Sequence, residues 1–149
     1  MGRIQHIFIA PAKGAPMIEL AAVEALTDGG LRGDRYAEPG LRKSVDYQLT
    51  LIEIEHIAAF STTLGLALEP QDPRRNLVTQ GVRLNDLCGK RFRVGATELE
   101  GLDLCEPCST FAQRTHPETL RFFVHKGGLR CRIRRGGMIR VGDDVGDGA

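Results

Sequence analysis

Apolar and polar positions along the chain change period several times, and those changes mark out the elements. Residues 2–10 (GRIQHIFIA) predict a first strand, ended by Pro11 and the Lys13-Gly14-Ala15-Pro16 turn. The next stretch, 17–27 (MIELAAVEALT), fits a helix or a strand. Pro16 and Asp28-Gly29-Gly30 bracket it tightly, so it is read as extended. Gly29 to Tyr36 (GGLRGDRY) is a glycine-rich loop where backbone can approach a ligand closely, or a wide turn between strands. Residues 44–51 predict another strand. Thr50 and Glu53 then stand at capping-box spacing. Ile54, Ile57, Ala58, Ser61 and Leu64 recur at helical intervals before Gly65, which predicts a capped helix with His56 on its exposed side.

Beyond a loop at Pro70–Pro73, the run Arg74-Arg75-Asn76-Leu77-Val78-Thr79-Gln80-Gly81 sets polar residues in an apolar context, which suggests a polar site. Leu84–Leu87 folds back. Phe92–Gly101 reads as two strand segments turning at Gly95. His116-Pro117-Glu118 predicts a second helix start, with Leu120, Phe123 and Val124 as its apolar stripe and Gly127-Gly128 as its stop. Leu129 to Arg134 alternates strictly. Leu129, Cys131 and Ile133 face the core, while Arg130, Arg132 and Arg134 face away. Arg135-Gly136-Gly137 predicts a hairpin turn into a strand at Met138–Val141, ended by Gly142-Asp143-Asp144. The picture is one α+β domain over 1–149, mainly β with helices, with an ordered core of about 2–145 and a frayed tail at 146–149.

Composition agrees. Eighteen glycines among 149 residues, with only 5% aromatics, favour short strands over a helical bundle. No apolar run is long enough to span a bilayer, and the first residues lack the apolar core of a signal peptide, so a cytoplasmic protein is expected. A net charge of +1 argues for neither nucleic acid nor membrane as partner. Of the 20 basic residues, nearly all arginine, eight fall between Arg114 and Arg140. They are either a solvated strand face or a grip for a small anion, since guanidinium matches phosphate and carboxylate geometry.

Four cysteines (Cys88, Cys105, Cys108 and Cys131) are expected to be reduced in that compartment. Cys105-Glu106-Pro107-Cys108 sets two thiols on a proline-stiffened bend, fit for a soft metal, redox exchange or plain packing. A zinc centre, which would make this a zinc-stapled interaction domain, needs Cys88 and Cys131 to join them, and Cys131 faces the core.

Taken in order, several segments resemble the MOSC domain, the module named for the C-terminal part of molybdenum cofactor sulfurases. They are Gly30-Leu31-Arg32-Gly33-Asp34-Arg35-Tyr36, Leu49-Thr50-Leu51-Ile52-Glu53, Arg74 to Val82, Leu84 to Gly89, Cys105 to Cys108, and Gly136 to Asp143. The resemblance implies a β-barrel with about two to four peripheral helices and a pocket for the pyranopterin molybdenum cofactor. It implies Cys108 as the thiolate ligand to molybdenum, because single-cysteine members carry it directly after a residue like Pro107.

Contacts to the cofactor's phosphate or pterin are expected from Arg75, Asn76, Thr79 and Arg130 and from the backbone of Gly33 and Gly128. Asp34 would hydrogen-bond the pterin edge or orient Arg35. Arg114 and the arginine-rich strand are candidates to favour the Cys108 thiolate. His116 and His125 are candidate proton donors, and Tyr36 and Tyr47 stay unassigned.

Relatives with known activity reduce N-hydroxylated compounds, so a small-molecule substrate and a separate electron-transfer protein are implied. The alternative is a carrier that holds the cofactor, or sulfur as a Cys108 persulfide, without turnover. Pyridoxal phosphate belongs to fused desulfurase relatives, and nothing in this sequence resembles that module. A monomer and a homodimer are equally compatible with the sequence.

Overall fold

The computed structural model describes residues 2–42 and 44–147. Its frame is built from β1 (Gly2–Ile9), β2 (Ile18–Leu20), β3 (Ala22–Leu26), β4 (Gly30–Leu31), β5 (Leu49–Glu53) and β6 (Leu77–Gln80). It continues with β7 (Arg91–Val94), β8 (Thr97–Leu104), β9 (Leu129–Arg135), β10 (Gly137–Arg140) and β11 (Asp144–Asp147). Three helices accompany them: α1 (Ile54–Leu64), α2 (Ser109–Arg114) and α3 (Thr119–Phe122).

Seven strands close a barrel in the order β11-β7-β8-β9-β5-β6-β1, with β1 pairing back onto β11. The fold is α+β, as expected. Register shifts in β1 between Ile4 and His6, and in β8, bend those strands as closure requires. A small sheet, β10-β3-β4, shares the barrel's apolar core through Val23, Ala25, Leu31 and Ile139.

The apolar run Ile7-Phe8-Ile9 that ends β1 follows from burial on both faces. Ile7 fills the barrel, while Phe8 packs outward with Ile52, Ile57, Phe60 and Phe123 under the helices. The extended reading of 17–27 holds as β2 and β3.

Several expectations are corrected. Thr50 is no N-cap: Thr50 to Glu53 complete β5, and α1 begins at Ile54. Glu53 accepts a hydrogen bond from the Leu84 backbone instead of capping. Gly65 does end the helix, at φ 67°. The buried face of α1 runs through Ile57 and Phe60, leaving Ala58 and Leu64 exposed. The strand expected from Ser44 starts at Leu49, because the buried Gln48 side chain donates to Val45 and accepts from Ile133. Helix α3 stops at Phe122, short of the expected Gly127-Gly128 end; along it and just beyond, Thr119 and Phe123 are buried while Leu120 and Val124 face outward.

Gly136-Gly137 is not a hairpin turn. Strand β9 pairs with β5 and β8, and the chain then crosses to β3, where a Cβ on Gly136 would meet the Ala25 carbonyl. The tail is also more ordered than expected. Gly146 and Asp147 pair with Arg93 and Phe92 and help close the barrel. Residues 148–149 lie outside the described residues.

Candidate functional site

The Cys105–Cys108 bend leaves the end of β8, and its position is set by glycine. The Cys105 amide donates to the Gly128 carbonyl (2.8 Å). Side chains on Gly127 and Gly128 would collide with the carbonyls of Cys105 and Leu51. Three strands' worth of backbone therefore meet with no room for a Cβ. Glu106 ties the bend down from outside, accepting from the His125 amide (2.7 Å) and pairing with its Nδ1 (2.8 Å).

Two adjoining cavities open beside this bend, of about 310 and 170 Å³, and Tyr36, Thr50, Arg75 and Cys108 line both. Tyr47, Cys105, Glu106 and Arg130 complete much of the larger one. Arg35, Arg74, Arg114 and Phe111 complete much of the smaller one. Arg75 Nε donates to the Gly127 carbonyl (2.8 Å), which holds its guanidinium at the shared wall. Arg130 lies 4.4 Å from the Tyr47 ring centre and pairs with Asp103 (3.2 Å). Arg74 occupies the left-handed region at φ 59°, a strain of about 1 kcal/mol or more for a non-glycine residue.

Exposure separates the thiols. Cys108 is exposed at the start of α2, whereas Cys105 and Cys131 are buried and Cys88 is partly so. Burial pushes the Cys105 thiol up, against the opposing pull of Arg75 and Arg130, and pushes Cys131 well up. Ionisation inside the barrel is thus disfavoured, and Cys108 is the thiol that a soft metal or an electrophile can reach. Among the described residues, no three His, Cys, Asp or Glu side chains converge as a metal-binding group. The zinc-stapled reading has no ligand set there. The arrangement fits a metal that arrives with its own sulfur ligands and takes one more thiolate from the protein.

Of the residues expected from sequence, Cys108, Arg75 and Arg130 come together on the cavity walls. Asn76, Thr79 and Asp34 are buried beneath and line neither cavity. Asn76 exchanges bonds with Thr50 (Oδ1 accepts its amide at 3.0 Å) and donates to the Phe8 carbonyl (3.0 Å) and to Asp34 (3.4 Å). Asp34 accepts from the Ala10 amide (2.8 Å) and the Tyr36 amide (3.2 Å). Thr79 donates to the Ile52 carbonyl (3.4 Å). This buried network braces Tyr36 and Thr50, which do line the cavities.

Gly33 and Gly128 are likewise absent from the walls. His116 bonds the Ala67 carbonyl (2.8 Å) and stacks on Phe60, away from the thiol. His125 reaches the site only through Glu106. Arg35, Arg74, Tyr36, Tyr47 and Thr50 are wall residues that the sequence reading did not assign. Arg35 and Tyr36 lie in the glycine-rich loop and Arg74 in the polar run singled out above, whereas no local pattern marks Tyr47 or Thr50.

Burial raises the Asp34 carboxyl above its ordinary 3.8 despite the hydrogen bonds it accepts. The folded state then holds this proton to higher pH than the unfolded chain does. Its contribution to stability is full below the unfolded value and declines as pH rises through the folded one. The urea midpoint of the wild type relative to Asp34→Asn is expected to fall across that window. A constant difference would contradict the assignment.

A single exposed thiol thus stands between two arginine-walled cavities beside a closed barrel. This chain belongs to the MOSC domain family, whose model matches residues 33–146. The family is associated with molybdenum cofactor binding.

The fold is similar to that of the YuaD protein from Bacillus subtilis (TM-score 0.82, 18% identity, 97% of this chain and 94% of that one). It is also similar to YiiM from Geobacillus stearothermophilus (TM-score 0.76, 18% identity, 98% and 74%). YiiM from Escherichia coli follows at TM-score 0.68, 19% identity, and coverage of 97% and 68%. A search of curated proteins gives no match. No helix among the described residues is long and apolar enough to cross a membrane. Nothing supports the pyridoxal phosphate association of the fused relatives for this chain.

Proposed function

We propose that this chain binds the molybdenum cofactor with Cys108 as its protein ligand and reduces N-hydroxylated compounds, using electrons from a separate protein. The observation that carries this reading is the placement of the one exposed thiol on the wall shared by both cavities. Cys108 would hold the metal end. Arg75 and Arg130 would hold the phosphate and pterin end in the larger cavity, where guanidinium suits a phosphate and Tyr47 offers an aromatic face. When bound, the cofactor supplies a redox-active metal that takes oxygen from the substrate.

The chain's own work is positioning and proton supply. Converting an N–OH group to N–H plus water consumes two electrons and two protons. Glu106 lines the larger cavity, and its partner His125 is exposed, so the pair links the site to solvent protons. Exposure of Cys108 also suits the carrier alternative, and turnover discriminates the two. Cofactor-loaded protein with a reduced viologen donor is expected to convert an amidoxime or a hydroxylaminopurine to the deoxygenated product over many cycles. Loaded protein that turns over neither would leave the carrier reading in place of the reductase.

A further inference from the structure

The smaller cavity is lined by four arginines and one carboxylate, Asp72. Arg35, Arg74 and Arg114 face it together. Elsewhere six arginines pair with carboxylates, among them Arg32 with Glu24, Arg91 with Glu98, Arg132 with Asp28 and Arg134 with Glu100, while the exposed Arg3, Arg93, Arg121, Arg135 and Arg140 form no ion pair among the described residues. Among the described residues, none of the four arginines on its wall, these three and Arg75, forms an ion pair with a carboxylate. Arg35 donates to the Tyr36 hydroxyl (2.9 Å). Asp72 lines the same cavity, yet its carboxylate accepts the Glu69 amide (2.8 Å). Asp34, behind the wall, is occupied by backbone amides and Asn76.

Burial and the neighbouring Arg114 and Arg35 depress Arg74's affinity for its own proton. Against the wall arginines stand only Asp72 at the rim and Asp34 from behind, so positive charge is in excess there and suits a bound anion. In the function proposed above, the cofactor's phosphate would be held by Arg130 and by Arg75 on the wall shared with the larger cavity. A volume of about 170 Å³ is too small for a tricyclic pterin but admits a phosphate or carboxylate with a few attached atoms.

We infer that the smaller cavity is an anion subsite for the substrate: the N-hydroxylated compound carries a phosphate or carboxylate, which Arg35, Arg74 and Arg114 hold beside Cys108. This rests on the reductase reading above and sharpens it to an anionic substrate class. The arginines fix the charged end, and Cys108, on the shared wall, marks where the N–OH must reach.

The test is calorimetric titration of the full chain with inorganic phosphate, in cofactor-loaded and cofactor-free protein, alongside Arg114→Gln. Arg114 is exposed on α2, so its replacement leaves the fold in place. Saturable phosphate binding is expected in both forms, weakened about tenfold or more in Arg114→Gln, as loss of a charge-assisted bond requires. The same variant is expected to raise KM for a hydroxylaminopurine nucleoside monophosphate by a clearly larger factor than KM for the free base, and equal changes for the two would overturn the inference.

Phosphate that binds the cofactor-free protein but is excluded from the loaded one would assign the arginines to the cofactor and overturn the inference. Binding that is absent, or indifferent to Arg114→Gln, would overturn it as well. Elemental analysis of the same samples separates the two readings. Protein that never takes up molybdenum sinks the reductase and the substrate assignment together, even where Arg114-dependent phosphate binding shows the anion site to be real.

Discussion

Replacing Cys108 by alanine is expected to lower retained molybdenum by at least about tenfold, since even outer-shell partners of a metal site typically contribute that much. Cys105→Ala is expected to leave metal content close to wild type. The contrast follows from burial and position. Both thiols line the larger cavity, but Cys105 is buried and burial holds it protonated, while Cys108 stands exposed where the two cavities meet. Only a thiolate ligates, and a desolvated thiol must lose its proton at a cost that Arg75 and Arg130 offset in part.

Cys108 caps α2 through its backbone, its carbonyl accepting the Ala112 amide (3.1 Å), so alanine there keeps the local structure. Elemental analysis of the two purified variants, with urea midpoints to confirm folding, decides the matter. Metal lost from Cys105→Ala but kept in Cys108→Ala would move the ligand inside the barrel.

Gly128→Ala is expected to destabilise the fold by about 3 kcal/mol or more, combining backbone strain and overpacking of about 1–3 kcal/mol each. Gly128 sits at φ 114°, and an added Cβ would strike the Leu51 carbonyl, where β9 meets β5. That carbonyl belongs to a barrel strand and cannot swing aside. Gly33→Ala is the control. Its φ of 88° also strains a side chain, but the added Cβ would meet only the Ile9 Cδ1 tip at 3.2 Å, which can move. A larger loss of urea midpoint is therefore expected for Gly128→Ala than for Gly33→Ala. Equal effects would return Gly128 to a ligand-facing role and contradict the close-packing account.

Legibility in the sequence tracked how local the cause was. The alternation from Leu129 to Arg134 is a property of six consecutive residues, and it predicted both β9 and the burial of Cys131. Gly65 ends α1 for an equally local reason. The capping box at Thr50 and Glu53 failed because β5 competes for those residues, and pairing to β6 and β9 outweighs a cap. The Gly136-Gly137 pair signalled a bend correctly, but which strand follows the bend is a long-range choice. So is barrel closure by β11 against β1.

At the site, the bend at Cys105–Cys108 and the roles of Arg75, Arg114 and Arg130 as wall residues were visible, and the tyrosines, Arg35 and Arg74 were not. Asn76, Thr79 and Asp34 stood out as polar residues among apolar ones. A buried hydrogen-bond hub and a ligand-binding residue share that signature. Only the positions of Phe8, Thr50 and Tyr36 around them distinguish the two. The left-handed backbone of Arg74 leaves no trace in the sequence at all.

The most direct test of the central claim is the molybdenum and pterin content of the full chain purified from a molybdenum-sufficient host. Elemental analysis and pterin fluorescence are predicted to find both, near one per chain, with Cys108 protected from alkylation. Protein that contains neither, while Cys108 is intact, reduced and freely alkylated, would contradict it.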